Sequence, residues 1–247
     1  MLSSPLAPAK ALPQTPQWVS KAFIYHIYAL GLCGAPLRSQ AEITPRLDQL
    51  RDWIPYWQDL GVNTLLLGPV SASASHGYDT TDLYAIDSRL GDQTGFQALC
   101  QTLKTHGFRI VLDGVFNHVS RQFWAFQDVI QHPETSPYRE WFFIRSGHSA
   151  LGDPFDYECW EGHHELVKLN LQSPAVREYT FGAVRQWIEL YDIDGLRLDV
   201  AYCLDRDFLA ELADFVRQLK PDFWLMGEMI IGEIIQQTPF TAATRTH

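Results

Sequence analysis

Short runs of consecutive apolar residues alternate along this chain with stretches in which apolar residues recur every three or four positions. Phe23-Ile24-Tyr25-His26-Ile27-Tyr28 reads as a strand. Leu47, Leu50, Ile54 and Trp57 then repeat at helical spacing, with Pro55 expected to kink or shorten the helix. Gly61 stops it, and Thr64 to Val70 is the next strand. Phe96, Leu99, Cys100 and Leu103 predict an amphipathic helix closed by Gly107. It leads into Ile110 to Phe116, apolar on both faces as a buried parallel strand requires. Ser173-Pro174 predicts a helix start, with a capping side chain before a proline of the first turn. Val176, Val184, Trp187, Ile188 and Tyr191 form that helix's apolar face, and Gly195 to Val200 follows as a strand. Asp205 caps a further helix through Phe208, Leu212, Val216 and Leu219, ended by Pro221, and Trp224 to Met229 is a fifth strand.

Strand–helix alternation of this kind means a parallel sheet. A doubly wound sheet usually carries a Gly-rich phosphate turn after its first strand, and none is present, so an α/β barrel is the expected fold. The rhythm breaks between Val119 and Leu171, where Pro, Gly, His and aromatic residues replace periodicity; residues 119–171 are expected to be an inserted subdomain or functional loop region. Residues 1–20 read as a loose leader, residues 21–118 and 172–231 as barrel, and residues 232–247 as a tail without the strand–helix rhythm.

Composition narrows the class. The 247 residues are 46% hydrophobic, which excludes a disordered chain. The 19 basic residues stand against 29 acidic ones, a net charge of −10, which argues against nucleic acid as a partner. No apolar run is long enough to span a membrane. Cys33, Cys100, Cys159 and Cys203 lie far apart with no CxxC pair, so they are read as reduced residues of a cytoplasmic protein.

Functional residues of parallel α/β folds gather at the carboxyl ends of strands. Three strand ends here carry polar groups that packing alone explains badly: Asp113 with Asn117 and His118, Arg197 with Asp199 two positions on, and Glu228. Neighbouring strands lie about 4.8 Å apart. Asp199 and Glu228 at equal heights would therefore stand about 5–5.5 Å from each other, the separation used in retaining glycoside hydrolysis. Arg197 is expected to keep Asp199 ionised for nucleophilic attack. The apolar neighbours Leu225, Met226, Met229 and Ile230 are expected to raise the Glu228 carboxyl, as suits a general acid. A buried Arg197–Asp199 ion pair with a purely structural role is the alternative at this point. His163-His164-Glu165 lacks the gap of a zinc-binding helix motif and reads as a solvated loop.

Five collinear motifs extend this reading. His76-Gly-Tyr-Asp-Thr-Thr-Asp82, Asp113-Gly-Val-Phe-Asn-His118, Leu166-Val-Lys-Leu-Asn170, Gly195-Leu-Arg-Leu-Asp-Val-Ala201 and Gly227-Glu228 occur in this order. Together, from about Phe23 to Ile231, they resemble the α-amylase family (glycoside hydrolase family 13), on its cyclomaltodextrinase and neopullulanase-like branch. The resemblance implies a (β/α)8 barrel of the TIM type with a small subdomain inserted after the third strand. It implies retaining hydrolysis, or transfer, of α-glucosidic bonds in maltodextrin or starch-type α-glucan oligosaccharides. On the matching positions, Asp199 resembles the nucleophile and Glu228 the acid/base. Arg197 would orient Asp199, His118 would bond the sugar being cleaved, and Tyr78 would stack on its ring. Asp113 would brace the site. Asn117 matches a position that ligates calcium in amylases, but no partner set accompanies it. No metal is therefore assigned and no organic cofactor is required.

One family feature is missing. A further Asp, preceded by His, closes the seventh strand in relatives, and at roughly 31 residues per β/α unit it belongs about 60 residues beyond Glu228. The sequence ends at His247. About five of eight barrel units are expected, in an incomplete chain of the amylase type. Its alternative is an inactive sugar-binding or non-functional fragment lacking the third carboxylate.

Overall fold

The structure is a computed structural model that describes residues 15–229 and 243–244. Its centre is a parallel sheet of β1 (Ile24–Ile27), β2 (Thr64–Leu67), β5 (Arg109–Gly114), β11 (Gly195–Leu198), β12 (Trp224–Glu228) and the short β13 (Ala243–Thr244), in that spatial order. Between β2 and β5 a small hairpin, β3 (Ser71–Ser73) with β4 (Thr80–Ile86), stands above the strand ends. The helices are α1 (Ala29–Leu32), α2 (Ile54–Asp59), α3 (Gln93–Thr105), α4 (Trp124–Gln131), α5 (Pro174–Tyr191) and α6 (Arg206–Leu219). This is an incomplete (β/α)8 barrel.

Period-two alternation divides the strand residues between two cores. Leu65, Leu67, Ile110, Leu112, Leu196 and Leu198 turn outward and pack with the helices, against Trp57, Phe96, Leu99, Ile188, Phe208 and Leu212. Leu66, Val111, Trp224 and Met226 turn inward and form a separate apolar layer inside the curved sheet. Burial on both faces is why these strands read as continuous apolar runs.

The helix ends follow local chemistry. Asp92 and Asp205 cap α3 and α6, accepting from Gly95 N at 2.8 Å and Phe208 N at 2.9 Å. Ser173 occupies the position before α5, but its side chain makes no capping bond, and Pro174 at the first turn sets the entry instead. The apolar period from Leu47 to Trp57 is not one helix: residues Arg46–Trp53 form 3-10 turns, and α2 begins only at Ile54, with Pro55 in its first turn, where its missing N–H costs nothing.

Residues 1–14 lie outside the described residues, but 17–20, assigned to a loose leader, belong to a 3-10 turn, Gln17–Lys21, that caps the lower end of the sheet. Trp18 packs edge-on against Trp224 at 5.6 Å, donates to the Asp222 carbonyl at 3.0 Å and receives Arg109 over its ring at 4.6 Å. The reason is the apolar layer inside the sheet, which needs a lid on its lower side. The tail, 232–247, lies outside the described residues except for 243–244, whose backbone adds a sixth parallel strand beside Gly227–Glu228. Residues 119–171 do carry regular structure: α4, then β7 (Ile144–Arg145), β8 (Asp156–Tyr157), β9 (Cys159–Trp160) and β10 (His163–Lys168). β10 pairs antiparallel with β6 (His118–Ser120) and β9, so His163-His164-Glu165 is a strand and not a solvated loop.

The hairpin that reaches over the strand ends hangs on one arginine. Arg89 is fully buried and grips both oxygens of Asp87 at 2.8 and 2.7 Å, Ser73 Oγ at 2.7 Å and the carbonyls of Ser75 and Pro36 at 2.6 and 3.0 Å. An Arg89→Met substitution would strand the Asp87 carboxylate inside the protein, so it is expected to lower stability by about 3 kcal/mol in chemical denaturation.

Candidate active site

The register of β5, β11 and β12 builds the site. Arg197 lies level with Asp113 on one side and Met226 on the other, and one step further Asp199 reaches the height of Glu228. All four polar side chains turn inward, above the apolar layer of Val111, Trp224 and Met226, at the carboxyl end of the sheet. They are at most 8% exposed.

Arg197 holds all three carboxylates. Its Nη1 lies 3.0 Å from Asp113 Oδ1 and 3.3 Å from Asp199 Oδ1, and its Nη2 lies 2.8 Å from Glu228 Oε1. The second Asp113 oxygen accepts from the Tyr78 hydroxyl at 2.9 Å, which fixes the Tyr78 ring above the strand ends. The second Glu228 oxygen accepts the Val200 N–H at 2.9 Å. Val200 adopts a left-handed backbone, φ 40°, which a β-branched residue rarely takes. Such strain costs on the order of 1–3 kcal/mol, and the bond to Glu228 helps to hold it.

Two expectations about charge are corrected. Glu228 is not in apolar company: Leu225 and Met229 point to the helix side and Met226 lies a layer below, so its carboxylate meets Arg197 and a backbone N–H. Asp199 is not held ionised by Arg197. Burial raises its pKa to about 7, and the charges of Asp113 and Glu228 add to the rise against the opposing pull of Arg197. One guanidinium divided among three acids does not offset the desolvation of all of them. The Asp199 and Glu228 carboxyls lie on adjacent strands around the same guanidinium. Burial also raises Asp113, while Arg197 and Tyr78 lower it.

His118 is 2% exposed, and burial lowers its pKa to about 4, so the ring is neutral at physiological pH. Asn117 Nδ2 lies 3.1 Å from its Nδ1, which places the ring proton on Nε2. That Nε2 is buried and has no hydrogen-bond partner among the described residues. Asn117 thus serves His118. Among the described residues no group of three or more His, Cys, Asp or Glu side chains is placed to hold a metal ion.

Tyr78, His118, Arg197, Asp199 and Glu228 line one hollow of about 480 Å³. His76, Trp160, His163, Leu166 and Val200 complete its walls, and sequence reasoning singled out none of these as a pocket residue. Trp160 and His163 flank a two-residue turn, Glu161-Gly162, both with positive φ, and no feature of the sequence says that this turn lies above the strand ends. Lys168 and Asn170 do not join the hollow: Lys168 sits over the Phe143 ring, and Asn170 Nδ2 donates to the Glu140 carbonyl at 3.0 Å.

A partial parallel barrel with acidic side chains and one arginine at its carboxyl end defines an α/β-barrel protein whose pocket sits where such folds carry chemistry. Comparison with known proteins gives the family. The profile described as alpha amylase, catalytic domain, matches residues 38–247. Over 233 residues the chain is 37% identical to neopullulanase 2 of Thermoactinomyces vulgaris, an alignment covering 87% of this chain and 40% of that protein. It is 33% identical to a cyclomaltodextrinase of Geobacillus thermopakistaniensis, with the same coverage of each. Among solved structures, the ligand-free cyclic alpha-maltosyl-(1→6)-maltose hydrolase of Arthrobacter globiformis superposes with a TM-score of 0.82 at 29% identity, over 94% of this chain and 56% of that one. The chain belongs to the alpha-amylase family. It spans about 40% of the length of these two curated relatives.

Proposed function

We propose that the hollow is built for retaining cleavage of α-glucosidic bonds in maltodextrin-type oligosaccharides, by hydrolysis or transfer. The observation that carries this reading is the Asp199–Glu228 carboxyl pair, side by side on adjacent strands beneath the Tyr78 ring and gripped by one arginine. Retaining cleavage needs one ionised and one protonated carboxyl. With Asp199 raised to about 7, its carboxyl still carries a proton in part of the molecules near neutral pH.

In this reading a glycosidic oxygen arriving over Glu228 draws the proton of Asp199 to the Glu228 carboxyl and leaves Asp199 ionised. Asp199 attacks the anomeric carbon, the bond to the glycosidic oxygen breaks, and Glu228 delivers its proton to the leaving oxygen. Water or a sugar hydroxyl then gives its proton to Glu228 and displaces Asp199. Neutral His118 offers Nε2–H to a sugar oxygen, and Tyr78, locked by Asp113, offers its face to a sugar ring. The named relatives, a neopullulanase and a cyclomaltodextrinase, support the choice of α-glucans as substrate class.

Incubation of the purified chain with maltotriose or a cyclodextrin, followed by assay of reducing ends, tests the proposal. New reducing ends are expected, and a Glu228→Gln variant is expected to lose about 10²–10⁴-fold of the rate. Failure of the parent to release any reducing end overturns the reading, and an unchanged rate in the variant overturns the acid/base assignment.

A further inference from the structure

The inserted segment holds a nucleophile and a base that glycoside cleavage does not use. Cys159 Sγ, on β9, lies 3.0 Å from His164 Nδ1, on β10, and both residues are half-buried. Successive strand residues face opposite sides, so Cys159 turns toward the main core and away from the hollow that its neighbour Trp160 lines. Buried Tyr157 fixes the base: its hydroxyl donates to the His164 carbonyl at 2.9 Å, and its ring leans on the imidazole at 5.8 Å. With Nδ1 accepting from the thiol, the ring proton sits on Nε2. A nucleophile bonded to a base that a third group orients is the arrangement that makes a side chain reactive. Among the described residues no other cysteine bonds a histidine, and Cys33 and Cys100 are buried.

Charge decides the resting form of the thiol and the reagent it would meet. Burial raises the Cys159 thiol above its ordinary value, and Asp156, Glu165 and Glu158 add to the rise against the Gly162 backbone. Thiolate is therefore scarce at rest, and the proton must leave as the sulfur attacks. Arg145 pairs with Glu158, and Lys168 stands 3.9 Å from it. Three acids against two bases leave the surroundings negative.

We propose that Cys159 is a thiol-modification site for small cationic disulfides, with His164 as its base. The S–H proton passes to His164 Nδ1, the sulfur attacks one sulfur of the disulfide, and the S–S bond of the reagent breaks. Cys159 is oxidised to a mixed disulfide, and the departing half is reduced and leaves as a thiol carrying the proton from His164. The adduct forms on the side of β9 turned from the hollow, so this chemistry is separate from that of Asp199 and Glu228.

The purified full chain is treated with cystamine, a cationic disulfide, near neutral pH, and labelling of each cysteine is timed by peptide mass spectrometry. Cys159 is expected to be labelled at least about tenfold faster than half-buried Cys203. His164→Gln is expected to slow Cys159 by about tenfold or more and to leave Cys203 unchanged. Oxidised glutathione, which is anionic, is expected to label Cys159 about threefold more slowly than cystamine, once each rate is divided by its rate with free cysteine. Cys159 labelled no faster than Cys203 overturns the site, and an unchanged Cys159 rate in His164→Gln overturns the base. Equal corrected rates for the two disulfides overturn the cationic preference. If His164→Gln instead opens Cys33 and Cys100 to labelling, it has unfolded, and Tyr157→Phe, which loosens the base without removing it, decides: slower labelling of Cys159 supports the proposal, and an unchanged rate overturns it.

Discussion

An Asp199→Asn variant is expected to lose at least about 10⁴-fold of any glycosidase rate and, at the same time, to be more stable than the parent at pH 8. The loss follows from replacing the attacking oxygen by an amide. The gain follows from Asp199 being raised to about 7 in the folded chain, against about 3.9 when unfolded. Between those values the folded state keeps a proton that the unfolded state has released. Stability therefore falls as pH rises from about 4 to about 7, by an amount on the order of 4 kcal/mol for this one group. Asparagine carries no such term. Thermal unfolding of both proteins at pH 4.5 and pH 8 reads the effect: the curves should separate at the higher pH and converge at the lower one. A parent as stable as the variant at pH 8 would mean that Asp199 ionises freely.

Arg197→Met is the other large effect. Asp113, Asp199 and Glu228 would be left around one buried spot with no counter-charge. Removing one partner of a buried pair costs about 3–5 kcal/mol, and here three acids lose the same partner, so at least about 5 kcal/mol is expected at pH 7. The sign of its pH dependence is fixed. Without the cation, the folded-state pKa values of Asp113 and Asp199 rise further above their unfolded values of about 4, so the folded chain binds protons more tightly than the unfolded one. The deficit is greatest above neutrality and shrinks below about pH 4, as the carboxyls protonate in both states. Denaturant unfolding across pH 4–8 measures it, and a deficit that grows toward low pH would rule out this account.

Much of the fold was legible because burial on both faces writes itself into sequence as uninterrupted apolar runs. Ile110 to Phe116 and Trp224 to Met229 declared themselves in this way, and Asp92, Asp205 and Pro174 mark helix starts by chemistry within one turn of chain. The elements misread are those whose structure depends on distant partners. The β6–β10–β9 sheet joins His118–Ser120 to residues 46 to 50 positions away, and strands of two or three residues leave no period to read. Spacing alone placed Arg197 and Asp199 on one face, but it could not say that Glu228 and Asp113 would draw on the same guanidinium. Burial, which the shared guanidinium does not offset, is what reversed the expected ionisation of Asp199. Trp160 was invisible for a related reason: a tryptophan at a turn becomes a wall only when the fold lays the turn above the strand ends.

The indole of Trp18 meets its partners Asp222 and Trp224 only after some 200 intervening residues have been made. During synthesis the turn that carries Trp18 therefore waits, with an aromatic surface bare, until β12 emerges, and contacts so distant in sequence are slow to form. Clipping the chain after Lys21 would reopen the same gap from the other end, uncovering Trp224 and the underside of the layer on which the acidic groups stand.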